Sequence, residues 1–342
     1  IREAQKSLEA IAQRFGHTFS YQEALVGAVA IDACGDPFPQ ETLDACLDAD
    51  AVLFGAIGDP KYDNDPKAKV RPEQGLLRMR KALGLYANIR PVKAYEILEA
   101  ASPLRPEIVR GVDFVVMREL IGGIYFGEPR GRNEQGSKAF DTCVYDVEGI
   151  KRITVKAFEY AYKRRKKVTL VDKANVLATS RLWREVVTAY AAEHPEIEFD
   201  TMFVDNAAMK LISNPKYFDV VLTENMFGDI LSDEASVITG SLGTLPSASI
   251  GEKTSVFEPI HGSYPQATGQ NIANPIATIL SAAMMLEYEF GMEEEGRAIR
   301  EAVEFSIEQN YTTSDLANGK QSTTEVGDFI AQRILSSSLE AV

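Results

Sequence analysis

The chain has 342 residues, 45% of them hydrophobic and 25% charged, with a formal net charge of −14. That length suits about two domains with buried cores. The acidic balance argues against nucleic acid or an anionic membrane as the main partner, although a few local arginines can still hold an anionic substrate.

Cys34, Cys46 and Cys143 are odd in number and lack metal-ligand spacing, so they read as reduced thiols in a cytoplasmic protein. His17, His194 and His261 are far apart, so any metal is expected on oxygen ligands. No stretch reaches the about 18–20 apolar residues of a membrane span, and no signal peptide is visible.

The chain opens inside a helix, with Ile1, Ala4, Leu8, Ile11 and Phe15 at helical spacing. So abrupt a start leads us to expect a segment upstream. Residues 51–56 form a short apolar run that ends in Gly58-Asp59-Pro60. Similar runs cover 114–117, ending at Arg118; 168–171, ending at Asp172-Lys173; and 218–222, ending at Thr223-Glu224-Asn225. Between the last two, Leu182, Trp183, Val186, Val187 and Tyr190 make one helical face, with Thr179 or Ser180 as candidate N-cap. The most apolar helix is expected at 276–286. Strands alternating with helices predict an α/β protein with a largely parallel sheet, whose ligands bind at the carboxyl ends of the strands.

Several residues near those ends could carry chemistry. Arg80, Arg90 and Arg118 suit a dicarboxylate if they converge, since guanidinium binds carboxylate in bidentate fashion; separate surface ion pairs are the plainer reading. Tyr125 lies among Gly122, Gly123 and Gly127, as a proton donor or a packed turn aromatic. Lys173 reads as a base in a cleft or a surface lysine. Asp205 follows the alternating segment 197–204, as a metal ligand or a helix cap. Asp229 and Asp233 stand four apart at the expected start of a helix. That spacing puts both carboxylates on one face, which suits Mg²⁺ or Mn²⁺; attraction of acids to a helix N-terminus explains them equally well. A long loop holds His261-Gly262-Ser263, Gly269 and Asn274-Pro275. G-x-G-x-x-G, P-loop and G-x-S-x-G motifs are absent.

Together these segments resemble the β-decarboxylating dehydrogenases of the isocitrate/isopropylmalate dehydrogenase family, from the first helix nearly to the last residue. Asn225-Met-Phe-Gly-Asp229-Ile-Leu-Ser-Asp233 resembles the family's metal helix, and Val171-Asp-Lys173-Ala-Asn175-Val176 its catalytic lysine strand. Arg118-Glu-Leu-Ile-Gly-Gly-Ile-Tyr125-Phe-Gly resembles its tyrosine loop; His261-Gly-Ser and Ile272-Ala-Asn274-Pro resemble its adenosine loop. Four specific motifs in the family's order make the likeness strong.

The resemblance implies a two-domain α/β fold with a central mixed sheet flanked by helices, distinct from the usual Rossmann fold. It implies a cofactor-binding domain of 1–85 plus 240–342, and a dimerisation and catalytic domain of 86–239. It implies oxidative decarboxylation of 3-isopropylmalate to 4-methyl-2-oxopentanoate and CO₂ with NAD, in leucine biosynthesis, by a cytoplasmic homodimer with shared active sites. On the same footing, Arg80, Arg90 and Arg118 hold the malate carboxylates. Asp229 and Asp233 bind the metal, joined by Asp205 of the other subunit, which also reaches the substrate. Lys173, also from the neighbour, takes the hydroxyl proton, and Tyr125 protonates the enol. Leu76, Leu77 and Val176 receive the isopropyl group where isocitrate enzymes carry polar residues. A carboxylate buried there unpaired would cost several kcal/mol.

Glu73, Asn175, His261, Gly262, Ser263, Tyr264, Gln266 and Asn274 are the residues that the resemblance assigns to the cofactor. Two departures stand out. The family's opening strand and Gly-Asp-Gly-Ile-Gly-Pro-Glu turn are absent, so either a segment lies upstream or the protein is truncated. Gln266 replaces the aspartate that binds the ribose hydroxyls in NAD-using members; the basic residues of NADP-using members are also missing, so NAD remains the expected cofactor. The alternatives are a dehydrogenase of another 3-alkylmalate or of tartrate, or a non-catalytic regulatory subunit. The presence of Lys173, Tyr125, Asp205, Asp229 and Asp233 argues against the last.

Overall fold

A computed structural model describes residues 1–63, 70–316 and 318–336. The chain divides into two compact units, Ile1–Gly84 with Ser241–Val342, and Leu85–Gly240.

In the first unit the opening helix runs Arg2–Phe15 and buries Ala4, Leu8 and Ile11, as their spacing predicts; Ile1 stays exposed at its end. It packs on helices Thr323–Ser336 and Ile276–Tyr288. Every residue from Ile276 to Leu286 is buried. A helix enclosed on all sides has no polar face to present. The run at 51–56 yields a strand of only three residues, Ala51–Leu53, parallel to Ser255–Pro259, which in turn runs antiparallel to Pro246–Ile250.

The second unit holds a five-stranded run of mixed sheet in the order Ala87–Lys93, Asp113–Glu119, Val220–Thr223, Lys167–Asp172, Glu198–Phe203. The first strand is antiparallel to its neighbour and the rest are parallel. Helices Val147–Tyr162, Ala178–Ala192, Val204–Ser213 and Asn225–Ile238 accompany it. Phe114, Val116, Val171, Val221 and Leu231 belong to one buried cluster. Strands that are buried on both faces read as continuous apolar runs, which is why these three were visible in sequence.

Register fixes the functional edge. Arg118 is level with Thr223, and Thr223 with Val171, so three parallel strands end together. Arg118, Glu224 and the Asp172-Lys173 pair therefore emerge on one edge, where α/β sheets place their ligands.

Two expectations need correcting. The helix bearing Trp183 starts at Ala178 with Leu177 as N-cap, so Thr179 and Ser180 lie inside it. Ser180 Oγ instead accepts the Lys173 backbone N–H at 3.0 Å. Asp229 and Asp233 are the fifth and ninth residues of Asn225–Ile238, not its first turn. Helix-terminus electrostatics fade within one turn, so they do not explain this pair.

Candidate active site

Arg118 and Asp229 form the centre of the site in the second unit. Arg118 is only 2% exposed, and two of its nitrogens, Nε and Nη2, donate to Asn225 Oδ1 at 3.0 and 2.8 Å. Its third nitrogen donates to Asp229 Oδ1. Asp229 Oδ2 accepts from the Tyr125 hydroxyl at 2.9 Å. Gly228 makes this approach possible, because a Cβ there would lie 2.6 Å from the Arg118 side chain. Burial, and then the Asp229 charge, push the Tyr125 phenol above its ordinary range, so it keeps its proton.

A second arginine–aspartate pair stands one helical turn on. Arg90, 9% exposed, donates to Asn88 Oδ1 at 2.8 Å, Ser232 Oγ at 2.7 Å and Asp233 Oδ1 at 3.0 Å. The Asp233 side chain is 71% exposed, so a buried cation steadies an open carboxylate. Asp229 and Asp233 thus offer oriented hard-oxygen donors from one helix face, a set that fits Mg²⁺ or Mn²⁺. Among the described residues, no three His, Cys, Asp or Glu side chains gather as a metal site. The pair would need a further ligand from elsewhere.

Lys173 leaves its strand into a turn held at both ends. Arg184 grips Asp172 through Nε at 2.8 Å and Nη2 at 2.7 Å, and Asp172 Oδ1 also accepts the Ala174 N–H at 3.0 Å. Lys173 Nζ pairs with Asp205 Oδ1 and holds that carboxyl below the ordinary aspartate range. Asp205 lies second in helix Val204–Ser213, whose N-cap is Phe203, so it is not a cap. Asn175 and Val176 are exposed in the same turn.

The remaining candidates belong to the first unit. Leu76, Leu77 and Arg80 share a face of helix Pro72–Ala82 at spacings of four and three. Leu76 and Arg80 are half-buried and Leu77 is exposed. Arg80 lies 3.9 Å from Glu258. Glu73 opens the helix, and its Oε1, like Ser263 Oγ, would be 3.4 Å from a Cβ on Gly58. Ser263 also donates to the Gly58 carbonyl at 2.6 Å. His261, Gly262, Tyr264 and Gln266 follow on a largely exposed loop. Asn274 donates to Asp315 at 2.9 Å and accepts the Ile276 N–H at 3.0 Å, which fixes its amide.

Sequence reasoning gives no separate role to Asn88, Asn225, Ser232 or Tyr145, although Asn225 and Ser232 stand inside the metal-helix motif and Asn88 is two residues before Arg90 on one strand, hence on the same face.

The chain is similar to known proteins along most of its length. The isocitrate/isopropylmalate dehydrogenase family model matches residues 1–330. The 3-isopropylmalate dehydrogenase of Bacteroides fragilis (strain YCH46) is 58% identical over 96% of this chain and 92% of its own length. That of Wolinella succinogenes is 54% identical over 97% of this chain and 93% of its own. A crystal structure of isocitrate dehydrogenase from Methylococcus capsulatus matches with a TM-score of 0.85 at 34% identity, covering 97% of this chain and 95% of that one. A β-decarboxylating dehydrogenase from Thermococcus kodakarensis in its apo form matches with a TM-score of 0.80 at 35% identity, covering 99% and 93%.

Proposed function

This chain belongs to the isocitrate/isopropylmalate dehydrogenase family, and from that premise we propose that it oxidises and decarboxylates 3-isopropylmalate to 4-methyl-2-oxopentanoate and CO₂, reducing NAD, in leucine biosynthesis. The observation that carries the reading is the double arginine–aspartate pairing, Arg118 with Asp229 and Arg90 with Asp233. It sets two desolvated cations for a dicarboxylate beside two carboxylates for a divalent ion.

Bound Mg²⁺ or Mn²⁺ would supply a Lewis acid for the substrate's hydroxyl and adjacent carboxylate. Asp229 and Asp233 would hold it, with Asp205 of a second copy. Arg90, Arg118 and Arg80 grip the malate carboxylates and orient the C2 hydrogen toward the nicotinamide. Lys173 of the second copy accepts the hydroxyl proton. Tyr125, kept protonated by its surroundings, donates to the enol carbon after CO₂ leaves. Leu76 and Leu77 receive the isopropyl group and leave a third carboxylate unpaired, which rejects isocitrate. Glu73, Ser263, Tyr264, Gln266 and Asn274 serve the cofactor.

The homodimer is supported by the outer side of the Asp229 helix. Ile230 and Val237, two turns apart there, are 60% and 50% exposed, and Val176, Met209 and Ile212 are exposed on neighbouring segments. Apolar surface of that kind on a metal-ligand helix suits a second copy of the chain. On its likeness to bacterial 3-isopropylmalate dehydrogenases we assign the enzyme to the cytoplasm. Separately, no described helix is long and apolar enough to cross a membrane.

The test is NADH formation from 3-isopropylmalate with Mg²⁺, run beside isocitrate and beside NADP. Metal-dependent turnover with 3-isopropylmalate and NAD alone is the expected result. A folded protein that is inactive on 3-isopropylmalate sinks the assignment; equal rates on isocitrate sink the role of the leucines.

A further inference from the structure

Tyr145 has no part in the chemistry above, yet the turn bearing Tyr125 and the start of the Asp229 helix both rest on it. Its hydroxyl donates to Glu224 Oε2 at 2.8 Å and accepts the Asn225 backbone N–H at 2.9 Å, at the first residue of helix Asn225–Ile238. Glu224 uses its other oxygen to accept the Phe227 N–H at 2.8 Å, capping that helix. The Tyr145 ring lies under the glycines before Tyr125. A Cβ on Gly122 would come 2.8 Å from the ring, and one on Gly123 would fall 2.1 Å from the hydroxyl. Gly123 N–H also donates to the Val144 carbonyl at 3.0 Å, and Asn225 Nδ2 donates to the Gly122 carbonyl at 3.1 Å. The ring also makes a T-shaped contact with Trp183, centroids 5.4 Å apart.

We propose that Tyr145 is a positioning residue: its hydroxyl sets the Gly122–Gly123 turn against the N-terminus of the Asp229 helix, and so holds the Tyr125 hydroxyl at its working place. Backbone packed directly on an aromatic ring leaves little slack. Two hydrogen bonds to adjacent residues, Glu224 and Asn225, fix the ring's direction. A reacting group displaced by about 1 Å can lose up to a hundredfold in rate. Removing one oxygen from Tyr145 deprives a buried carboxylate of a donor and a helix N–H of its acceptor, and the turn is then free to shift. The inference rests on the decarboxylating-dehydrogenase reading of the site.

The experiment compares the parent with Tyr145→Phe, Tyr125→Phe and the double variant, using 3-isopropylmalate, NAD and Mg²⁺. Trp183 is the chain's only tryptophan, 1% exposed and in contact with the Tyr145 ring, so its emission reports whether that ring still packs. Tyr145→Phe is expected to keep the parent's emission maximum and dimer size, to lower kcat about tenfold, and to change KM for 3-isopropylmalate less than about threefold. In the Tyr125→Phe background the same change is expected to cost under about twofold, because the group it positions is gone. Should Tyr145→Phe cost the same factor in both backgrounds, raise KM alone, or leave kcat at the parent value, Tyr145 is no positioning residue for Tyr125. A shifted emission maximum assigns it to folding and likewise overturns the proposal. An inactive, folded parent overturns the reading of the site, and this proposal with it, and is told apart by the parent assay alone.

Discussion

Arg90 and Asp233, 143 positions apart in the chain, meet with Nη1 donating to Oδ1 at 3.0 Å, and the cation is buried while the carboxylate is open. Arg90 reaches three acceptors at once, Asn88, Ser232 and Asp233, through a planar fork. Lysine keeps the charge but offers a single point of attachment. Arg90→Lys is therefore expected to raise KM for 3-isopropylmalate about tenfold, the loss of one charge-assisted bond at about 1.4 kcal/mol. Saturation curves check it; an unchanged KM would remove Arg90 from substrate binding.

Two glycines with nearly the same backbone predict opposite tolerance. Gly111 has φ +73 with open space where a Cβ would go, while Gly123 has φ +75 and faces the Tyr145 hydroxyl and ring. Gly111→Ala is expected to cost only left-handed strain, about 1 kcal/mol. Gly123→Ala adds overpacking of about 1–3 kcal/mol against a ring that is held by two hydrogen bonds. Calorimetric melting of the two variants ranks them, and equal losses would mean that the Tyr145 ring yields freely.

Some of this was legible in the sequence and some was not, for physical reasons. Apolar runs at 114–117 and 168–171 became buried strands because a doubly covered strand has no polar face to confuse the pattern. The four-residue spacing of Asp229 and Asp233 survives in the helix, but its start lay one turn earlier than the sequence suggested, since Glu224 supplies the cap. Ser180 resembled a cap because serine suits that role, yet its hydroxyl went to the Lys173 turn. Asn225 holds Arg118 from 107 positions away, and Tyr145 holds Asn225 from 80. Periodicity carries no information about pairs that only the sheet's strand order brings together.

The Lys173 turn supplies a further test. Asp172 is 2% exposed and draws both arms of Arg184, which is itself about a third exposed. Arg184→Ala strands a buried carboxylate. The expected loss is about 2–3 kcal/mol, below the range for a fully buried pair because solvent already reaches the arginine. Adding Asp172→Asn to Arg184→Ala is expected to recover at least half of that loss, since the amide oxygen still accepts the Ala174 N–H. Urea midpoints of the single and double variants decide; no recovery would place the cost in lost packing of the Arg184 stem.

Glu224 predicts how stability varies with pH. Burial pushes its carboxyl above the ordinary 4.5, against the hydrogen bonds it receives from Phe227 and Tyr145. The folded chain therefore binds that proton more tightly than the unfolded chain. As pH climbs from the ordinary glutamate value through the raised one, the folded state holds the extra proton, and stability falls. Glu119, raised by burial too, has the same sign; Asp205, lowered by Lys173, has the opposite one and loses its contribution on acidification. Glu224→Gln keeps an acceptor for the Phe227 N–H but cannot ionise. The melting temperature of the variant minus that of the parent is expected to rise as pH climbs above the ordinary glutamate value, then level off once Glu224 is ionised in both states. A difference that stays flat or shrinks as pH rises would show that the hydrogen bonds from Phe227 and Tyr145 outweigh burial and that Glu224 is held ionised in the fold.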